Sequence, residues 1–337
     1  MRYHRFIIGC LALFGATISV TGLRAETAND ILSPEEIYRL TKLAAVEVLV
    51  DDRLEGTGCF VTPDGYIATA AHILGAPGRR VEVLTSKGGR RDVKVVAVDD
   101  GHDIAILKVD GTAEWNHLPI TKRKLPPGYK VYQFGTPIFR HHVMQAGFVA
   151  RDTLTHEYYG NPPHYVRVTH ISASLQKGTS GGPWVNTHGE LCGVQSGIMI
   201  ANNSTAGVAF VAPADAVRVL LSRKTHAKTP SIQFAIEETW QQPISFLKKL
   251  PPRTEGLVAK IVPKEGAAGR AGLPKDAILF SVDDRKLRLP DEFLNYVRTK
   301  SAGDTIRLTY RTLDHAQTKT LNIQLQALEQ RWHDYKE

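Results

Sequence analysis

Between Val46 and Val211 the sequence is a succession of short apolar runs broken at close intervals by turn residues. Val46–Val50, Gly58–Val61, Tyr66–Ala70, Val81–Leu84, Val93–Val98 and Ile104–Val109 form a first set. Pro63-Asp64-Gly65 is a turn signal inside it, between the second run and the third. A second set follows: Val131–Phe134, Val143–Ala150, Tyr165–Thr169, Pro183–Val185, Leu191–Met199 and Gly207–Val211. Regular short strands with turn signals and no long helix between them predict closed barrels or a sandwich. Two sets of six suggest two similar barrels across residues 44–223, joined at about 118–129, where Pro119, Pro126, Pro127 and Gly128 read as a connector. Ala212–Arg223 has a helical pattern, with Ala216, Val217, Val219, Leu220 and Leu221 on its apolar side.

The text changes on either side of this region. Upstream, in 26–43, Ser33-Pro34-Glu35-Glu36 is a helix start, with serine as cap, proline in the first turn and acids at the positive end of the dipole. Downstream, 224–230 (Lys-Thr-His-Ala-Lys-Thr-Pro) is a polar linker without an apolar face, so few contacts are expected to cross it. Residues 231–327 then alternate strand and helix: Ile232–Ile236, Leu257–Val262 and Ala277–Val282 as strands, Pro290–Thr299 as a helix, Thr305–Tyr310 and Lys319–Leu325 as strands. That is the pattern of a separate small α+β domain, with 328–337 as a tail. The predicted fold is mainly β.

The first 25 residues differ in composition from the rest. Arg2 and Arg5 precede an apolar run from Phe6 to Leu23, and Ala25 offers a small residue at a cut site. That order is the pattern of an export signal, which predicts a periplasmic or secreted protein. The alternative is an uncleaved membrane anchor, because the run approaches the ~20 residues that span a bilayer. Removal of 1–25, with Arg2, Arg5 and Arg24 and no acid, lowers the formal net charge from +8 to +5. The remaining basic residues are scattered and lack interleaved aromatics, so no nucleic-acid partner is expected. Only Cys59 and Cys192 lie beyond this segment, too few for a disulfide framework and without neighbours for a metal site. Neither a metal nor a cofactor is expected.

The chemistry is carried by three segments. Gly178-Thr179-Ser180-Gly181-Gly182-Pro183 surrounds a serine with residues that permit a sharp turn. A serine hydroxyl attacks only when a base takes its proton, and the oxyanion formed needs backbone N–H donors, here offered by Gly178 and Ser180. Ile67-Ala68-Thr69-Ala70-Ala71-His72 sets a histidine just past an apolar strand. His102-Asp103-Ile104-Ala105-Ile106-Leu107 sets an acid where another begins. Asp99 and Asp100 compete for the acid's role, but neither is followed directly by the apolar run. The order His, Asp, Ser lets the first barrel supply base and acid and the second the nucleophile.

These motifs resemble the trypsin-like peptidases, and Gly56-Thr57-Gly58 with Gly207-Val208-Ala209-Phe210-Val211-Ala212-Pro213 resembles their HtrA (DegP-like) branch. The resemblance implies a chymotrypsin-like double β-barrel in which Ser180 is nucleophile, His72 general base and Asp103 its orienting acid. The oxyanion hole would then be formed by the amides of Gly178 and Ser180. It puts Ser174 near the base of the primary substrate pocket and Gln195, Ser196 and Gly197 along a wall. No acid lies there, so an apolar side chain is expected rather than Lys or Arg. The C-terminal region resembles a PDZ domain through Gly256-Leu257-Val258-Ala259, Gly266-Ala267-Ala268, Ala271-Gly272-Leu273 and Asp276-Ala277-Ile278-Leu279. Such domains bind extended C-terminal peptides as an added strand. Their carboxylate loop maps onto Ser231-Ile232-Gln233-Phe234, with Gln233 where glycine is usual. The expected partners are unfolded polypeptide substrates, extended peptides at the PDZ-like domain, and copies of the chain in a homotrimer or larger assembly. The alternatives are a catalytically silent, chaperone-like peptide binder and, for the C-terminal domain, a structural spacer.

Overall fold

The computed structural model describes residues 31–328 except 112, 161–162 and 314–316. The predicted export signal and the C-terminal tail beyond 328 lie outside the described residues. Among those described, no helix is long and apolar enough to cross a membrane.

Helix α1 (Pro34–Ala44) begins at the predicted cap: Ser33 Oγ accepts from Glu36 N at 3.3 Å, and Glu36 Oε2 accepts from Ser33 N at 2.7 Å. This reciprocal pair satisfies two donors that the first turn would leave open. Strands β1 (Ala45–Val50), β2 (Arg53–Phe60), β3 (Tyr66–Thr69), β4 (Val81–Thr85), β5 (Arg90–Asp99) and β6 (Ile104–Val109) close into a barrel in the order β1-β2-β3-β6-β5-β4. Val48, Phe60, Ile67, Leu74, Val83 and Leu107 fill its interior.

The second barrel comprises β7 (Lys130–Gly135), β8 (Val143–Val149), β9 (Thr155–Tyr159), β10 (His164–Ser172), β11 (Pro183–Val185), β12 (Leu191–Ala201) and β13 (Ser204–Pro213). Their order is β13-β12-β11-β7-β8-β10-β9, and a further pairing of β10 with β13 closes the sheet on itself. Strand β9 was not expected from the sequence. It pairs with the first half of β10, from Thr155↔Val168 to Tyr159↔His164. Helix α2 (Ala214–Arg223) packs Val217 and Leu220 against Ile104 and Ile106 in a cluster that joins the barrels. Strand β6 is therefore covered on both faces, Ala105 and Leu107 inward and Ile104 and Ile106 outward. Burial on both faces explains why it reads as an unbroken apolar run rather than an alternation.

Residues 224–230, across which few contacts are expected from the sequence, are tied down at several points. Lys224 Nζ donates to Tyr66 Oη at 2.7 Å, Ala227 N donates to Val98 O at 2.9 Å, and Thr229 O accepts from Leu328 N at 2.8 Å. Strand β14 (Pro230–Ser231) opens the C-terminal region, which continues with β15 (Ile236–Glu238), helix α3 (Ile244–Leu247), β16 (Leu257–Ala259) and helix α4 (Ala267–Arg270). β17 (Ile278–Val282), β18 (Arg285–Lys286), helix α5 (Pro290–Val297), β19 (Thr305–Arg311), β20 (Lys319–Gln324) and β21 (Gln326–Ala327) complete it. The main sheet runs β15-β16-β17-β19-β20, and Phe234, Leu257, Leu279, Phe293, Leu308 and Ile323 are buried in one core. The predicted strand Ile232–Ile236 is mostly loop, because Gln233 takes φ +55°, a left-handed conformation incompatible with a strand.

Candidate active site

Strand register brings base and acid together. β3 pairs with β6 so that Thr69 faces Ala105. His72 lies just past the end of one strand and Asp103 just before the start of the other. His72 opens a single 3-10 turn, His72–Leu74, and Asp103 sits in a tight turn with φ +55°. The Asp103 carboxylate accepts from the His72 backbone amide at 2.9 Å through Oδ1 and from the His72 ring Nδ1–H at 2.8 Å through Oδ2. Ser196 Oγ also donates to Oδ2. Three donors on one buried carboxylate hold its plane and fix the imidazole tautomer with the other ring nitrogen, Nε2, facing away from Asp103.

Ser180 arrives from the second barrel on a loop docked against β2, where Thr57 N donates to Ser180 O at 2.8 Å. A Cβ at Gly56 would lie 2.6 Å from that same carbonyl. The glycine of Gly56-Thr57-Gly58 is thus required by the seam between the barrels. The loop is held from behind by Gly181 N to Gln195 O at 2.7 Å and Gln195 N to Gly182 O at 2.9 Å. Gly178 has φ +95°, and a Cβ there would come within 2.5 Å of Thr136 O. Among the described residues, the Gly178 and Ser180 amides donate to no backbone or side-chain acceptor.

His72, Gly178 and Ser180 line one open cleft of about 760 Å³, whose other walls include Ile138, Phe139, Ile198 and Ile200. Ile138, Phe139 and Ile200 are more than half exposed there. The pocket residues expected from the sequence are disposed differently. Gln195 is buried, with Oε1 accepting from Trp184 Nε1 at 2.8 Å and Nε2 donating to Gly197 O at 2.7 Å. Ser196 is turned toward Asp103, and Ser174 is exposed with its hydroxyl against Thr205 Oγ1 at 3.0 Å. Gly197 lies where a Cβ would meet the rings of Phe210 and Tyr159. The apolar lining therefore comes from Ile198 and Ile200 further along β12 and from the Pro137–Phe139 turn. The exposed apolar Ile138 and Phe139 of that turn lie outside the motifs that mark the site in the sequence.

Burial alone would lower the basicity of His72, but the charge and hydrogen bond of Asp103 outweigh it, with help from Glu55, and hold its pKa above the ordinary value. Burial likewise opposes ionisation of Asp103, and His72 with Ser196 reverses the effect, keeping the carboxyl below the ordinary range. The rival acids are placed elsewhere. Asp99 pairs with His102 Nδ1 at 2.8 Å. Asp100 is pushed up to about 7, first by burial and then by the charges of Asp103 and Asp99.

The C-terminal residues singled out from the sequence do not form an open cradle. Ile232 and Phe234 are buried in the core. The Gln233 side chain folds back so that its Oε1 accepts from Ala267 N at 2.9 Å. Cys59 and Cys192 form no disulfide, and no cluster of metal-ligating side chains occurs among the described residues.

Two barrels with histidine and aspartate on one, serine on the other and a cleft over their seam define a trypsin-like serine peptidase fold. Residues 56–194 match the family model of the trypsin-like peptidase domain. A probable periplasmic serine endoprotease, DegP-like, of Rhizobium meliloti is 24% identical over 276 residues, 80% of this chain and 53% of that one. The mitochondrial serine protease HTRA2 of Bos taurus is 27% identical over 263 residues, 73% and 56% of the two chains. The chain spans about half the length of these curated relatives. The solved structure of the HtrA-type protease AlgW with decapeptide superposes with a TM-score of 0.64 at 17% identity, covering 88% of this chain and 99% of that one. The serine endoprotease from Yersinia pestis gives 0.59 at 22% identity, covering 88% and 98%. Residues 56–194 thus match a trypsin-like peptidase domain, and over most of its length the chain is similar in sequence and fold to HtrA-type, DegP-like serine proteases.

Proposed function

We propose that the chain is a serine endopeptidase that opens peptide bonds in unfolded or misfolded polypeptides through an acyl-enzyme. The observation that carries this reading is the His72 ring, 2.8 Å from the Asp103 carboxylate and sharing a cleft with Ser180. Ser180 Oγ attacks the scissile carbonyl carbon while His72 Nε2 takes the hydroxyl proton. The oxyanion is met by the amides of Gly178 and Ser180, each such donor contributing about 3 kcal/mol in related sites. His72 returns the proton to the leaving amine, and water then cleaves the ester with His72 again as base. Asp103 keeps the imidazole in its productive tautomer and stabilises its charged form. The apolar walls from Ile138, Phe139, Ile198 and Ile200 favour substrates with an apolar side chain before the cut bond.

The relatives' names support an exported, periplasmic setting and the solved neighbour with bound decapeptide supports peptide recognition. The PDZ-like module is proposed to take extended peptides at the β15 edge, and the assembly to be a homotrimer or larger, as sedimentation of the purified chain tests. The central test is Ser180→Ala. It should abolish casein cleavage and fluorophosphonate labelling while leaving circular dichroism unchanged. Cleavage above background in that variant, with contaminating protease excluded, overturns the assignment.

A further inference from the structure

Tyr159 ends β9 with its ring 5.6 Å from the ring of Phe210 and its hydroxyl 2.5 Å from Ser196 Oγ. Ser196 in turn donates to Asp103 Oδ2, the oxygen that receives the His72 ring. The titratable groups facing Tyr159 are Asp103 and Glu157, and Glu157 is itself held by His170 Nε2 at 2.8 Å. Burial first, and the Asp103 charge second, push the phenol well above its ordinary pKa, so it is a proton donor at any working pH. Since Ser196 has one proton and gives it to Asp103, the Tyr159 proton must point at Ser196.

We propose that Tyr159 is a positioning residue of the catalytic triad, acting through Ser196 to hold and polarise the hydroxyl that Asp103 Oδ2 receives. The proposal rests on the peptidase reading above and adds a member to its machinery. Hydrogen bonds in a chain strengthen one another when the first donor polarises the second. With the phenol in place, the Ser196 proton shares Oδ2 with His72 and moderates the basicity of that oxygen. Without it, the serine hydroxyl is free to turn, Asp103 presents a stronger acceptor to His72, and the imidazole becomes more basic and less firmly oriented.

The strand that carries Tyr159 is anchored at its other end to the C-terminal module. Asp291, in the first turn of α5, accepts from Thr155 Oγ1 and from His156 N, both at 2.9 Å. Four rises of β-strand, at about 3.3 Å each, lead from Thr155 to Tyr159. One short strand thus carries both the contacts to Asp291 of α5 and the phenol that meets Ser196.

The test uses the full chain as Tyr159→Phe, Ser196→Ala and the double variant, with near-ultraviolet circular dichroism as the check of fold. Hydrolysis of a chromogenic peptide across pH and the titration of His72 by NMR with labelled histidine are read on each. Tyr159→Phe should lower kcat about tenfold with KM within about twofold, and should move both the acid limb and the His72 titration to higher pH. The double variant should equal Ser196→Ala, because Tyr159 acts only through Ser196. An unmoved His72 titration in Tyr159→Phe, or a Tyr159 effect that adds in full to that of Ser196→Ala, overturns the proposal. If the parent chain hydrolyses nothing, the peptidase reading fails while the titrations still decide the role of Tyr159.

Discussion

The hydroxyl of Tyr165 donates to the carbonyl of Ile236 at 3.2 Å and accepts from the amide of the same residue at 2.8 Å. Ile236 begins β15, the edge strand of the C-terminal sheet, and its neighbour Ala235 turns its own amide and carbonyl toward Ile261 and Lys260. The amide and carbonyl of Ile236 therefore face outward, where an added peptide strand would pair. A side chain of the second barrel already satisfies both. The Gln233 carboxamide satisfies Ala267 N in the same manner.

Tyr165→Phe should consequently raise the affinity of the C-terminal module for extended peptides. The phenyl ring keeps its place in the core while the two hydrogen bonds to the edge are lost. At about 1 kcal/mol for each competing bond, the gain should be roughly fivefold to thirtyfold in Kd. Isothermal titration of both proteins with one extended apolar peptide checks it. Equal affinities would show that peptides do not pair with Ile236.

The pH dependence of hydrolysis follows from His72. In the proposed mechanism its neutral form is the base, and Asp103 with Glu55 holds its pKa above the ordinary value despite burial. Activity should rise with pH through a limb centred above about 6.5 and fade as pH falls through it. The sign for stability is the reverse, since the charged pair is fully present only below the unfolded pKa of histidine and is lost as pH rises through the folded value. Full hydrolytic activity at pH 4.5 would point to carboxylate chemistry instead.

Asp103→Asn and Asp100→Asn separate the acids. Asparagine at 103 would give the Nδ1 of His72 the wrong partner, and turnover should fall by a factor on the order of 10⁴ with the fold retained. Asparagine at 100 removes a carboxyl raised to about 7 beside two other carboxylates. A raised acid binds its proton more tightly when folded, so stability is lost as pH climbs from about 4 to 7. Asp100→Asn should therefore be more stable than the parent at pH 8, by an amount on the order of 1–2 kcal/mol, and keep its turnover. Urea unfolding at pH 5 and pH 8 with kinetics on both variants checks this. A large kinetic loss at Asp100 alone would mean that the acid is misassigned.

What is legible in the sequence and what is not differ in range. The three motifs around His72, Asp103 and Ser180 can be read because each couples a reactive residue to a local requirement: an apolar strand end, a buried run such as Ile104–Leu107, or a glycine turn. The double barrel can be read because its strands repeat with short spacing. Strand β9 escapes such reading, since Thr155-His156-Glu157 is polar and alternates in no useful way. His156 is buried there because Asp291, 135 residues later, meets its amide. Tyr159, Tyr165 and Gln233 likewise gain their roles from partners remote in the chain. The linker at 224–230 misleads for the same reason, being polar in composition yet fastened by its backbone.

That fastening reverses what the polar linker suggests about truncation. A chain ending at Arg223 would lose the bond from Ala227 N to Val98 O, at the end of the strand leading to Asp99. It would also lose Arg298, whose Nη2 donates to Tyr165 O at 2.8 Å, and Thr229, both of which pack over Gly101 in the turn before Asp103. Tyr165 would be left exposed without its partner Ile236, and β9 without its anchor Asp291. These six hydrogen bonds, two of them between Tyr165 and Ile236 and two to Asp291, at about 1 kcal/mol each in a remaining unit of some two hundred residues, correspond to a fall in Tm of roughly 12–24 °C. Every triad residue remains, yet the turn that carries Asp103 and the strand that carries Tyr159 lose their outer supports. Hydrolysis of a short chromogenic peptide should drop at least tenfold, mostly in kcat, and casein cleavage should drop with it. Calorimetry and kinetics on the truncated and full chains measure both effects. An unchanged kcat on the short peptide would mean that the C-terminal module braces nothing in the active site and that its contacts serve only to park it.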